Sequence, residues 1–275
     1  MEPIQAVVLG TVQGLTEFFP VSSSGHLVIF QQMMGFKEPD LLFDISVHVG
    51  TLAAIVVYFF SDIVNILKSL FLSVSSRMKG HAGQFTDSEI RDINMAWMIV
   101  AGSIPTAMIG FGLQMISDIL FSSLLIVGVA LLITGAVLLV PRWVRQKKSF
   151  DAKLSSKQAL LIGTVQGLAV IPGISRSGST ISIALLAGVS RDAAIRFSFL
   201  LSIPAILGAL MLQLFMDSPE VNGASGSVIF IGLVTSLIVG YGALSLLVKM
   251  VQKGHLYYFT PYCIFLGAVV LMAGG

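Results

Sequence analysis

Polar residues are scarce in this chain, and those able to do chemistry gather in two short segments. The first runs Gln13-Gly-Leu-Thr-Glu17 and then Pro20-Val-Ser-Ser-Ser-Gly-His26; the second runs Pro172-Gly-Ile-Ser-Arg-Ser-Gly-Ser-Thr180. On a helix Gln13 and Glu17, four apart, share one face. A carboxylate on an apolar helix is expensive within a membrane and marks a functional candidate, the alternative being a structural hydrogen bond that holds its segment. Each Ser/Gly-rich turn precedes an apolar run that reads as a helix. A helix N-terminus offers free N–H groups and a positive dipole end to an anion, and Arg176 adds a planar fork suited to phosphate oxygens. Ser22, Ser24, Gly25, Ser175, Ser177, Gly178, Ser179 and Thr180 are the candidates for phosphate contact. One serine per loop is also expected to cap its helix, and the glycines to permit the turn. A lone Arg176 at mid-membrane needs an anion, either Glu17 or a ligand phosphate.

The elements that position these loops are duplicated. Gly163-Thr-Val-Gln-Gly-Leu168 repeats Gly10-Thr-Val-Gln-Gly-Leu15 letter for letter, 153 residues on, and the two turns keep the same offset. The chain is 55% hydrophobic and only 11% charged, with a mean hydropathy of +0.92, whereas a soluble domain is roughly a quarter charged. Spans of about 20 apolar residues are expected near 41–60, 93–114, 119–140, 193–215, 227–248 and 257–273. Residues 3–19 with 26–35, and 158–170 with 179–190, are too short to cross. Each pair reads as a re-entrant helix–turn–helix hairpin, tolerated where buried in protein or lining a wet cavity.

Of sixteen Lys and Arg, six fall between Arg142 and Lys157, which places that loop in the cytoplasm. A nucleic-acid patch is the poorer reading, because the cluster is short, lacks aromatics and adjoins a span. The 61–92 segment is expected as a long inner loop, 216–226 and 36–40 as outer loops, and both termini as outside. With three crossings per repeat, the halves take inverted topology. The expected fold is therefore an all-α polytopic membrane protein with about six full spans and two re-entrant hairpins, forming one membrane domain over 1–275. Repeat one covers 1–140 (hairpin 3–35), a cytoplasmic basic loop 141–157, and repeat two 158–275 (hairpin 158–190). The N-terminus lacks a basic leader, so no cleaved signal peptide is expected.

Other polar residues carry weaker signals. Asp44 and His48, four apart, suit a supporting pair or a self-satisfied hydrogen bond. Arg191, Asp192 and Arg196 suit interfacial anchoring, and Cys263 reads as a buried small hydrophobe. At offset 153, Glu17 faces Val170 and His26 faces Ser179, an asymmetry that favours chemistry over scaffold. The lipid-acting type 2 acid phosphatases are excluded, since no Arg-Pro pair is present and no His follows Arg176 until His255.

Gln13-Gly-Leu-Thr-Glu17, Phe18-Phe-Pro-Val-Ser-Ser-Ser-Gly-His26 and Pro172–Thr180 together resemble the bacterial undecaprenyl-diphosphatase family, the bacitracin-resistance proteins, over the whole chain. The family's acidic motif takes Glu or Gln first; here it is Gln13. The resemblance implies hydrolysis of undecaprenyl diphosphate to the monophosphate and inorganic phosphate at the outer face of the bacterial plasma membrane. It also implies dependence on a divalent cation, Mg²⁺ or Ca²⁺, and maps the catalytic site onto Glu17, Ser23, His26 and Arg176. Glu17, with Gln13, is the expected metal-binding position. Ser23 or a water is the expected nucleophile, and Glu17 or His26 the base. The partners expected are the lipid substrate and the bilayer, with a second copy of the chain as a further candidate. The alternative function is a carrier or flippase for polyprenyl phosphate or a small anion, which inverted repeats also suit.

Overall fold

The computed structural model describes residues 1–36, 40–78, 85–116, 119–120, 123–144, 154–216 and 225–273. Helices dominate them, with no strand among the described residues. The first hairpin is α1 (Pro3–Phe18) and α2 (Ser23–Met33), followed by α3 (Leu41–Tyr58), α4 (Phe60–Met78), α5 (Asp87–Gln114) and α6 (Leu124–Leu139). The second hairpin is α7 (Ser156–Leu168) and α8 (Arg176–Leu186), followed by α9 (Arg191–Met216), α10 (Gly226–Gln252) and α11 (Thr260–Ala273). Among these, α3, α5, α9, α10 and α6 with its 3-10 extension to Trp143 are long and apolar enough to cross a bilayer, and α11 with its preceding 3-10 turn is shorter. The protein is an all-α, multi-pass membrane protein.

Two boundaries differ from the sequence expectation. Residues 61–92 were expected as a loop, but α4 occupies them as far as Met78. It buries Ile66 and Ser69 while Leu67 and Phe71 stay exposed. Asp62, Lys68 and Arg77 interrupt any long apolar run there, so the length rule for spans passes it over. Arg196 on α9 grips α4 through Asp62 at 2.5 Å and reaches Asp92 on α5 at 3.8 Å. The second difference is that α2 and α8 start three residues earlier than expected. Ser22 and Ser175 occupy their N-cap positions, so helix begins directly after them. Residues 37–39, 145–153 and 217–224, which carry much of the charge reading of orientation, lie outside the described residues.

The packing repeats between the halves. α1 lies along α10 as α7 lies along α5, α3 meets α10 as α9 meets α5, and α6 pairs with α11. Each hairpin's first helix thus packs against a long helix of the other half. The duplicated glycines explain how it can. A Cβ on Gly10 would sit 2.8 Å from the Gly232 carbonyl oxygen, and one on Gly14 2.9 Å from the Gly240 nitrogen. On Gly163 it would overlap the Gly102 carbonyl, and on Gly167 it would lie 2.8 Å from Cβ of Ile109. Small residues let helix backbones approach where lipid supplies no hydrophobic drive between them. The Gly-Thr-Val-Gln-Gly repeat is therefore a packing device, and it fixes where the hairpin tips must lie.

Candidate functional site

The tips meet and brace one another. Ser22 adopts a positive φ of 70°, which is uncommon for a side-chain-bearing residue. Its hydroxyl oxygen accepts the Gly173 N–H at 3.1 Å instead of capping α2. The Ser177 hydroxyl donates to the Phe18 carbonyl at 2.8 Å. Thr134 of α6 ties in the second tip, donating to the Gly173 carbonyl at 2.9 Å and accepting the Ser175 N–H at 3.1 Å. Cys263 of α11 donates its thiol to the Pro20 carbonyl at 3.2 Å.

Between the braced tips lies a cavity of about 190 Å³ bordered by Glu17, Ser22, Ser23, Ser24, His48 and Arg176. It sits where the two repeats face each other. Thr16 and Ala169, Glu17 and Val170, Ser22 and Ser175, and Ser23 and Arg176 all line it, and each of these pairs is separated by the repeat offset. Only the Ser22–Ser175 pair keeps the same residue type.

The chemistry is concentrated on Glu17. One carboxylate oxygen, Oε1, takes Arg176 Nη2 at 2.5 Å. The other, Oε2, accepts the Ser23 hydroxyl at 2.8 Å and the Gln13 amide at 3.1 Å. The pair is largely withdrawn from solvent, with the Glu17 side chain 9% exposed and that of Arg176 16%. Two buried polar atoms here have no protein partner: Arg176 Nη1, a donor, and Gln13 Oε1, an acceptor. Buried polar groups are almost always satisfied, so the free donor of Arg176, which borders the cavity, points to a ligand; the Gln13 oxygen is matched by an equally unpartnered Gln166 Oε1 in the second repeat. α2 adds to this, because no side chain caps its N-terminus and Ser22, Ser23 and Ser24 bring its first turn to the cavity wall.

The arrangement can hold an anion against a hydroxyl that is already hydrogen-bonded to a carboxylate. Comparison with known proteins gives the family. The family described as Bacitracin resistance protein BacA matches residues 6–269. The chain belongs to the BacA family. It is 48% identical over 277 residues to a protein named undecaprenyl-diphosphatase from Desulfatibacillum aliphaticivorans, covering 99% of both chains. It is 46% identical over 281 residues to one of the same name from Desulfosudis oleivorans, covering 100% of this chain and 99% of the other. A third, from Methanosphaera stadtmanae, is 40% identical over 278 residues, covering 99% and 98%.

Of the residues singled out from sequence, this BacA-family cavity gathers Glu17, Ser22, Ser23, Ser24, Ser175 and Arg176, with Gln13 directly behind Glu17. Others stand elsewhere. His26 donates from Nδ1 to the Ser22 carbonyl at 2.7 Å, since a carbonyl can only accept, and its Nε2 meets the Tyr262 hydroxyl at 2.5 Å. With Gly25 it borders a separate apolar recess. Ser177 is spent on Phe18, and Gly178 lies so close to Pro20 that a Cβ would approach its Cβ to 2.7 Å. Thr180 donates back to the Arg176 carbonyl at 2.8 Å, and Ser179 is buried on α8.

Two residues were undervalued or missed. His48 lines the cavity; its Nδ1 donates to the Asp44 carbonyl at 2.7 Å, while Gln31 donates to the Asp44 carboxylate at 2.6 Å. The four-residue spacing of Asp44 and His48 was visible, but nothing local showed that α3 turns His48 toward Glu17. Tyr262, which pairs with His26 from a position 236 residues further on, carries no local signal at all.

Proposed function

We propose that this chain hydrolyses the phosphoanhydride of undecaprenyl diphosphate, releasing undecaprenyl phosphate and inorganic phosphate. The observation that carries the reading is the Ser23 hydroxyl donating to Glu17 at 2.8 Å while Arg176, fixed to the same carboxylate, keeps a buried N–H donor unused. Relatives aligned over nearly the whole chain bear the name of that activity. In cells the reaction returns the carrier lipid to envelope synthesis and sustains growth against bacitracin.

The diphosphate binds through Arg176 Nη1 and the open N-terminus of α2, both supplied by the braced tips. Ser23 Oγ attacks the terminal phosphorus, and its proton passes to Glu17. The bridging P–O bond breaks, and undecaprenyl phosphate departs with the bond's electron pair. A phosphate leaving group with a second pKa of about 6 carries its charge without being protonated, so what it needs is cationic stabilisation. Glu17 gives the Ser23 proton up to solvent. As a carboxylate again it takes a proton from water, which attacks the phosphoserine, and returns this proton to Ser23 Oγ as the P–O bond to serine breaks and inorganic phosphate leaves. His26 supports the chemistry by holding the Ser22 carbonyl, and through it the backbone that presents Ser23.

A divalent cation, Mg²⁺ or Ca²⁺, fits this donor set. Glu17 and the orphaned Gln13 Oε1 supply two hard oxygens, and no cluster of three His, Cys, Asp or Glu exists among the described residues. Cations of this kind commonly bind through one or two carboxylates completed by substrate phosphates. When bound, the ion would neutralise charge on the diphosphate.

The cavity opens to the outer face of the bacterial inner membrane, with both termini outside and the two halves inverted. The Lys/Arg cluster from Arg142 to Lys157 supports this orientation. The test is phosphate release by the purified protein in detergent, where no compartments exist. Cation-dependent release from undecaprenyl diphosphate is expected. Its absence, alongside uptake of an intact anion by the protein in vesicles, would replace hydrolysis with transport.

A further inference from the structure

The two hairpins are held very differently, and the difference lies beside the site. Among the described residues α8 packs closely against α6, α7 and α9, whereas α2 packs chiefly against α1 and meets α3 through Leu27, which shares a core cluster with Phe43 and Val47, and through the Gln31–Asp44 hydrogen bond. On its far side α2 faces α6 and α11 across a small recess walled by Ile29, Val127, Leu131, Leu266 and Val270. The wall is almost wholly apolar. α6 and α11 close the back of it, locked together where Gly128 meets Leu271 and Gly267 meets Leu132. Ser22 borders both this recess and the polar cavity, so the two spaces share a wall at the serine next to Ser23. Ile29 is 39% exposed, and its α2 neighbour Val28 also faces outward. The recess therefore leads from the anion cavity toward bilayer-facing surface. His26, on the wall of this recess, ties α2 to α11 through its hydrogen bond with Tyr262.

We infer that the prenyl tail of the substrate enters between α2 and the α6–α11 pair, its first isoprene units seated against Ile29, Leu131 and Val270. The inference rests on the phosphatase reading above and adds the route of the lipid. A diphosphate monoester of a long alcohol has one charged end and one apolar end. The only polar–apolar junction that these two cavities share is at Ser22. Tail binding on this side needs an outward displacement of α2 from the α6–α11 pair, to which the His26–Tyr262 hydrogen bond ties it, whereas α8 packs closely on α6. The His26–Tyr262 contact is the latch that such a movement opens.

The test compares purified full-length Ile29→Trp and Val270→Trp with wild type in detergent. Leu186→Trp, on the exposed surface of the second hairpin, serves as control. Filling the recess is expected to raise KM for undecaprenyl diphosphate about tenfold or more while kcat stays within about twofold. The effect should shrink for dimethylallyl diphosphate, which has one isoprene unit, and be absent in Leu186→Trp. A photoreactive prenyl diphosphate on the wild-type protein gives a second readout that does not depend on a variant folding. Label on α2, α6 and α11 supports the portal; label confined to α8 and α9, or unchanged KM in both recess variants, overturns it. If wild type releases phosphate from no prenyl diphosphate, the phosphatase reading fails by itself, and the label position still reports whether lipid enters here.

Discussion

The two hairpins begin with the same six letters and end in different trades. In α1 and α7 the paired glycines do one job, admitting the long helix of the opposite half, but the glutamine between them does not. Gln13 turns to Glu17 at 3.1 Å, whereas Gln166 is absorbed into the scaffold through the Leu201 carbonyl at 3.2 Å. At the tips the contrast widens. The first hairpin carries the carboxylate on α1 and the hydroxyl at the start of α2; the second carries the guanidinium at the start of α8, which packs closely on three helices. The acid and the hydroxyl thus come from one repeat and the cation from the other, so the ion pair exists only where the two hairpins meet. Duplication supplied a cavity on the repeat axis, and divergence at three of its four facing pairs made it chemically one-sided.

That comparison can be broken or sharpened by measurement. The largest effect is expected from Glu17→Gln, which keeps volume and removes the base: kcat should fall about 10³-fold. Ser23→Ala should cost as much, and the double variant little more than either, because groups acting as one unit are not additive. An additive double variant would separate Ser23 from Glu17 and favour water as the nucleophile. Arg176→Lys keeps the charge but loses the fork that spans Glu17 and phosphate, so kcat/KM should drop roughly 10–100-fold, somewhat less than the carboxylate loss. For stability, Gly163→Ala should lower the thermal midpoint more than Gly10→Ala, each costing about 1–3 kcal/mol by overpacking. Equal losses would mean that the α7–α5 approach is no tighter than α1–α10. The smallest effect is expected from Ala169→Thr, which makes a second facing pair identical to its partner Thr16; activity should stay within about twofold. A large loss there would show that the second hairpin's wall takes part in substrate recognition.

Much of this was legible beforehand, and the reasons for the rest are physical. A lone arginine in an apolar chain demands an anion, and the candidates named from sequence included Glu17, its partner in the structure. The re-entrant hairpins followed from length alone. The repeated glycine motif was read as a signpost to the site, and it is one only indirectly: its direct work is backbone approach, which leaves no trace in residue type. α4 escaped because the search for apolar runs is blind to a helix interrupted by charges such as Asp62 and Lys68. His48 and Tyr262 escaped because α3 and α11 reach the hairpin only through tertiary packing. Ser177, Gly178 and Thr180 looked like anion ligands because a brace between two polar tips and a cradle for phosphate use the same small residues.

The interleaving of the halves bears on how the chain is made. Glu17 emerges from the ribosome early, and the cation that neutralises it lies 159 residues further along. The helix against which α1 packs, Gly226–Gln252, is later still. Until then the first hairpin has neither its counter-ion nor its packing surface. The cavity therefore depends on residues made late, and a chain truncated before α10 is expected to release no phosphate.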